Sequence, residues 1–183
     1  MTLSDTTSTE TTLQRYKSFN VSLDNKIAHV QFSRPEAMNS MDKAFWVELP
    51  LCVRDIENNT DARVIVISST GKHFSAGMDL GVFSDGSTMP PSKDPARMAE
   101  GLRRLVLQLQ ATLSSLEEIR LPVLTAIQGG CIGGALDLAC AADSRYCTAD
   151  AYFTIKETEL GMTADVGTLQ RLPKLIPAGI VKE

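Results

Sequence analysis

Between Val123 and Ala142 the chain reads VLTAIQGGCIGGALDLACAA. A short apolar strand, Val123–Ile127, runs into four glycines (Gly129, Gly130, Gly133 and Gly134), and these open a nearly all-apolar helix. A strand that turns through glycine into a buried helix belongs in a layered fold, with helices packed on a sheet. The run is too interrupted to cross a membrane, because Gln128, the glycines and Asp137 break it. Asp137 is the conspicuous residue, since a lone carboxylate among apolar groups is costly and ordinarily has a partner or a task.

The rest of the chain fits this layered reading. Phe19–Leu23 and Ile27–Phe32 alternate apolar and polar residues around Asp24-Asn25, which predicts a β-hairpin. Arg34-Pro35 stops the second strand. Ser40 reads as the N-cap of a helix towards Glu57, with Asp42 in its first turn and Pro50 expected to kink or split it. Val64–Ile67 is a β-branched run and reads as a central buried strand. Pro95–Ile119 predicts a helix whose apolar stripe is Met98, Leu102, Leu105, Leu109, Leu113 and Leu116. Short strands are expected near Tyr146 and at Tyr152–Ile155. Strands alternating with helices indicate an α/β fold with a largely parallel sheet and no internal repeat. Residues 1 to 14 read as an unstructured tail before one domain, 15 to 183, and residues 85 to 94 read as a mobile Gly/Ser/Pro-rich loop.

Composition narrows the function classes. A net charge of -4 with no basic block argues against nucleic-acid binding. Four cysteines without a CxxC pair, and only two histidines, argue against a zinc site and for a reducing compartment. The N-terminus lacks the pattern of a secretory signal or transit peptide, and no C-terminal peroxisomal address is visible.

The chemistry concentrates in two segments. The turn through Gly133 and Gly134 lacks the spacing of a dinucleotide or phosphate loop. A helix N-terminus carries free N–H donors, and glycine lets a ligand approach them. A developing enolate oxygen is a fitting guest, and one such donor contributes roughly 3 kcal/mol in a transition state. The bland alternative is a packing turn under a buried helix. Downstream lie more acids: Glu157 and Glu159, which periodicity does not separate, and Asp165, which alternatively caps a helix starting near Gly167. The second segment, Lys72–Leu80, follows the Val64–Ile67 strand, where α/β folds commonly bind ligands. Met78 N–H is a candidate second donor beside Gly134 N–H. His73 has no nucleophile motif near it, and Cys131 has no base, so both read as structural.

Taken together, HFSAGMDL and PVLTAIQGGCIGGALDLACAADSRYC resemble the enoyl-CoA hydratase/isomerase (crotonase) superfamily over about residues 17 to 180. The resemblance implies repeated β-β-α layers around a largely parallel sheet. It implies an acyl-CoA thioester substrate with no metal and no separate cofactor, CoA being part of the substrate. Met78 and Gly134 would supply the oxyanion hole, and Ala76, Gly77, Met78, Asp79 and Leu80 would line the substrate site. Hydratases of the family carry glutamate where this chain has Asp137. The set Asp137, Glu157 and Asp165 is instead similar to the branch that converts 3,5-dienoyl-CoA to 2,4-dienoyl-CoA in β-oxidation, which selects Glu157 over Glu159. In that branch Glu157 would act at C2, Asp165 at C6, and Asp137 on the electrostatics of the pair. The alternatives within the resemblance are an enoyl-CoA hydratase, a Δ3,Δ2-enoyl-CoA isomerase, or a non-catalytic relative. Family chains ordinarily continue beyond the position of Glu183 with helices that cover the acyl pocket and assemble a trimer or hexamer. The sequence is thus expected to be a C-terminally incomplete core with weakened turnover. The resemblance also implies a peroxisomal or mitochondrial location.

Overall fold

The structure, a computed structural model, describes residues 11–12, 16–84 and 92–182. The expected tail at residues 1 to 14 lies outside them except for Thr11–Thr12. That pair forms a short strand, β1, antiparallel to the next, so the tail is not wholly unstructured. The loop expected at 85 to 94 lies outside them through residue 91; Asp94, by contrast, is a helix cap.

The hairpin forms as β2 (Phe19–Asp24) and β3 (Ile27–Phe32), paired antiparallel from Phe19 opposite Phe32 to Asp24 opposite Ile27. Its turn residues Asn25 and Lys26 both have positive φ, 47° and 65°, as a two-residue hairpin turn of matching twist requires. Helix α1 spans Lys43–Asn59 and corrects two expectations. Its N-cap is Asp42, which accepts from Phe45 N at 2.9 Å; Ser40 is not the cap. The helix cannot start earlier because Met41 pairs in strand fashion with Met78. Nor does Pro50 split it. A proline deprives the carbonyl four residues back of its helical donor, here Trp46. Thr112 Oγ1, from another helix, donates to Trp46 O at 2.9 Å and fills that vacancy.

Strand β4 (Val64–Ser69) pairs parallel with β3, and β5 (Val123–Ile127) pairs parallel with β4. Between them come a short helix, α2 (Gly81–Ser84), and the long α3 (Pro95–Glu118), whose first turn is capped by Asp94 through Ala96 N. On α3 the stripe is buried at Leu105, Leu109, Leu113 and Leu116, whereas Met98 and Leu102 are exposed. The first turns of α3 extend past the core. A small strand β6 (Gly130–Ile132) leads into α4 (Gly134–Ala141), every residue of which is buried. Strand β7 (Ser144–Cys147) completes the main sheet beside β5. β8 (Tyr152–Thr154) pairs with β6 in a second two-stranded sheet, followed by a 3-10 turn at Lys156–Leu160. Helices α5 (Thr168–Leu175) and α6 (Ala178–Val181) end the described chain.

The main sheet runs β1-β2-β3-β4-β5-β7, antiparallel at the hairpin edge and parallel from β3 onwards. Phe19, Phe32, Phe45 and Phe74 join sheet to α1 through tilted and edge-on ring contacts. Helices α1, α3, α4 and α5 pack each on the next. The carboxyl ends of β4 and β5 feed two neighbouring loops, and the site forms there.

Candidate active site

The loops after β4 and β5 are laced together by backbone hydrogen bonds. Phe74 N donates to Gln128 O (2.8 Å), Ser75 N to Gly130 O (3.1 Å) and Ile132 N to Ser75 O (3.1 Å). Residues 38 to 41 brace the first loop from outside: Ala76 N donates to Met38 O (2.9 Å), Met41 N to Gly77 O (2.8 Å) and Asp79 N to Met41 O (3.0 Å). Asn39, held at φ 53°, donates through Nδ2 to Thr70 O and His73 O. Sequence reasoning passed over this brace; an Asn able to adopt left-handed backbone was its one visible signal.

The lacing sets Gly77-Met78 against Gly134 with no room to spare. A Cβ on Gly77, whose φ is 82°, would lie 3.0 Å from Gly134 N and 2.4 Å from Ile132 O. A Cβ on Gly134 would lie 3.5 Å from Met78 N. Among the described residues, neither Met78 N–H nor Gly134 N–H has an acceptor. Gly134 is the first residue of α4, so its amide is one of the helix's free donors. Two adjacent unpartnered amides are the arrangement that holds an oxyanion.

The acids approach from the other side. Asp137 sits one turn after Gly134 and is fully buried. Its Oδ1 accepts from Thr168 N at the start of α5, so it caps a helix 31 residues on, while its Oδ2 is buried with no partner among the described residues. Burial pushes its carboxyl above the ordinary range; hydrogen bonds from Thr168 and the charge of Arg171 oppose that, and the charge of Asp165 adds to it. Glu157, half-buried in the 3-10 turn, has Oε1 3.0 Å from where a Cβ of Gly133 would stand. Burial raises its pKa first; its own backbone hydrogen bond lowers it, and the charges of Asp137 and Asp165 raise it again. Asp165 is half-buried in the segment before α5. It does not cap α5, whose N-cap is Gly167. Glu159 is exposed and paired with Lys156, which separates it from Glu157.

Ala76, Met78, Leu80, Gly134, Glu157 and Asp165 all line one cavity of about 300 Å³, whose apolar wall comes from α3 at Leu102, Leu105 and Leu109. This gives Leu102, exposed on the α3 stripe, a surface to cover. Gly77 and Asp137 lie behind the lining. Asp79 turns away, accepting from Ser40 Oγ and Gly81 N and facing Arg34 at 3.8 Å. A larger cavity, about 670 Å³ between α4, α5 and α6, contains none of the donors or the three acids, and we give it no part in the chemistry. His73 Nδ1 accepts from Gly130 N at 3.0 Å, so His73 pins the two loops together. Cys131 is buried, and burial drives its thiol well above the usual range, the opposite of a nucleophile's need. Among the described residues, no three His, Cys, Asp or Glu side chains cluster as metal ligands, and no helix is long and apolar enough to cross a membrane.

The family model for enoyl-CoA hydratase/isomerase matches residues 22–183. The mitochondrial Δ(3,5)-Δ(2,4)-dienoyl-CoA isomerase of Rattus norvegicus is 48% identical over 162 residues, covering 88% of this chain and 50% of that protein. The peroxisomal Δ(3,5)-Δ(2,4)-dienoyl-CoA isomerase of Arabidopsis thaliana is 41% identical, covering 90% and 61%. Among solved structures, a putative enoyl-CoA hydratase of Thermobifida fusca in complex with acetoacetyl-CoA superimposes with a TM-score of 0.75 at 26% identity, covering 90% of this chain and 64% of that one. The chain spans about half the length of the rat relative. It belongs to the enoyl-CoA hydratase/isomerase family.

Proposed function

We propose that this family member is an isomerase that converts 3,5-dienoyl-CoA thioesters to their 2,4-dienoyl isomers. The observation that carries the reading is the single cavity with two unpartnered amides at one end and two distinct carboxyl groups, Glu157 and Asp165, on its lining. The relatives named as dienoyl-CoA isomerases support it. So does Asp137, since the family resemblance implies a glutamate at that position in hydratases.

The substrate thioester oxygen would accept from Met78 N–H and Gly134 N–H. These donors favour the dienolate over the ground state, since the negative charge on that oxygen grows as the C2 proton leaves. Glu157, as carboxylate, takes the C2 proton. The electron pair moves through the diene, and protonated Asp165 delivers a proton to C6. The net change moves two double bonds with no change of oxidation state. The pair resets when Glu157 releases its proton and Asp165 regains one. Burial, together with the charges of its acidic neighbours, raises the pKa of Glu157 and so strengthens it as the base for the C2 proton. Asp137, behind the lining, supplies part of that charge. We extend the mitochondrial and peroxisomal settings of the relatives to this protein on the same grounds, and keep the trimer or hexamer that the resemblance implies for the full-length family alone.

The test is incubation with 3,5-dienoyl-CoA while following the ultraviolet absorbance of the conjugated 2,4-dienoyl product. Product with the native chain and none with Glu157→Gln is expected. Hydration of 2-enoyl-CoA in place of isomerisation would assign the site to a hydratase, and neither reaction would make it a non-catalytic binder.

A further inference from the structure

Asp165 lies in the irregular stretch between the 3-10 turn and α5, and its neighbours Gly161, Met162 and Thr163 are exposed. No strand or helix of its own fixes it, yet proton delivery at one carbon requires its carboxyl within a fraction of an ångström of its place. The stretch is held from outside the cavity. Gln110 on α3 donates through Nε2 to the backbone oxygen of Asp165 itself, at 2.5 Å. One turn further along α3, Ser114 and Glu117 bind Arg171: Ser114 Oγ accepts from Nη2 at 3.1 Å, and Glu117 accepts from Nε at 2.9 Å and from Nη2. Arg171 Nη1 then reaches Val166 O at 3.5 Å. A Cβ on Gly167, at φ 136°, would stand 1.8 Å from Arg171 Nη1, so the guanidinium fills the space a side chain would need. Gln110, Ser114 and Glu117 fall at spacings of four and three, on one face of α3.

We propose that Gln110 and Arg171 are positioning residues that clamp the backbone at Asp165 and Val166 to α3 and so hold the Asp165 carboxyl in register with Glu157. Neither lines the cavity, so neither touches substrate. The inference rests on the proposed isomerase reading for its catalytic consequence, though the clamp itself is a matter of backbone order. Its signature is a split between the two half-reactions. Glu157 and the donor pair are held by β6, β8 and the 74-to-80 loop, so proton abstraction at C2 should survive loss of the clamp. Delivery at C6 should not.

The experiment compares the native chain with Gln110→Met, which keeps the volume and removes the donor, and Gln110→Glu, which at neutral pH replaces the donor with an acceptor. Gln108→Met, an exposed change on the same helix, is the control. Two readouts are taken: backbone amide deuterium exchange across residues 161 to 168, and turnover alongside solvent exchange of the substrate C2 proton. Expected are faster amide exchange in that stretch, a roughly 10- to 100-fold fall in kcat, unchanged KM and unchanged C2 exchange for both Gln110 variants, with Gln108→Met like the native chain. Unaltered amide exchange in the Gln110 variants overturns the clamp, whether or not the protein turns over. A parallel fall in C2 exchange and kcat overturns the positioning role in favour of a general structural one. If the native chain neither exchanges C2 nor forms product, the isomerase reading fails, and the amide exchange still decides the clamp.

Discussion

Replacing Gly77 by alanine perturbs the donor pair through the backbone alone. A residue with a side chain at φ 82° carries a left-handed strain of about 1–2 kcal/mol. The new Cβ would also stand 2.4 Å from Ile132 O, about 1 Å inside ordinary contact, and 3.0 Å from Gly134 N. Both neighbours are backbone atoms, so relief comes only from opening the 74-to-80 loop away from the 128-to-134 loop. Strain and lost hydrogen bonds together should lower stability by roughly 2–4 kcal/mol. The same opening separates Met78 N–H from Gly134 N–H, and loss of one such donor costs roughly 10²- to 10³-fold in kcat. The control is Gly101→Ala, in the second turn of α3 with nothing within 4 Å of the added carbon, which should stabilise by roughly 0.5–1 kcal/mol and leave kcat unchanged. Urea unfolding and turnover of 3,5-dienoyl-CoA measure both effects. A Gly77→Ala protein with native unfolding midpoint and native kcat would refute the reasoning.

Other consequences are as direct. Thr112→Val leaves the Trp46 carbonyl without a donor and should cost about 1–3 kcal/mol. In a Pro50→Ala background the cost should shrink, because residue 50 then donates, and a double-mutant cycle by urea unfolding measures the difference. Glu157 has a folded-state pKa above its ordinary value of 4.5, so its contribution favours folding below that value and is lost as pH rises through the folded pKa. Glu157→Gln removes that loss, so its stability relative to the native chain should rise as pH climbs above 4.5. The opposite trend, read from unfolding midpoints, would show that Glu157 is stabilised as a carboxylate. Finally, Cys147 is exposed while Cys52, Cys131 and Cys140 are buried, with the Cys140 thiol pushed up to about 11. A thiol reagent should therefore modify one cysteine quickly, and Cys147→Ser should remove that fast phase.

The parts of the fold carried by local pattern were legible in the sequence. The hairpin, β4, α3 and the strand–glycine–helix passage stand where periodicity and glycine put them, because each is decided by residues within a few positions of one another. What escaped is long-range. Pro50 read as a break because its remedy, Thr112, comes from another helix 66 residues beyond Trp46. Ser40 outranked Asp42 as a cap because nothing local shows Met41 pairing with Met78. Asp165 read as a possible cap, whereas Asp137 reaches across from α4 to cap α5. Met98 and Leu102 matched the stripe, but helical phase carries no information on how far the core extends along α3. Among the site residues, Asp79 belongs to the segment the resemblance marked, yet its side chain faces Ser40 and Arg34. The clamp at Gln110 left no trace in sequence, because a glutamine holding a backbone oxygen 55 residues away looks like any other helix glutamine.

The most direct test of the division of labour between Glu157 and Asp165 is the position of deuterium in product formed from 3,5-dienoyl-CoA in heavy water. One deuteron at C6 of the 2,4-dienoyl product is expected from the native chain. Asp165→Asn should give unreacted substrate exchanged at C2, with no product. Product that carries no deuterium at C6, or undiminished product from Asp165→Asn, would contradict a two-carboxylate relay across the cavity.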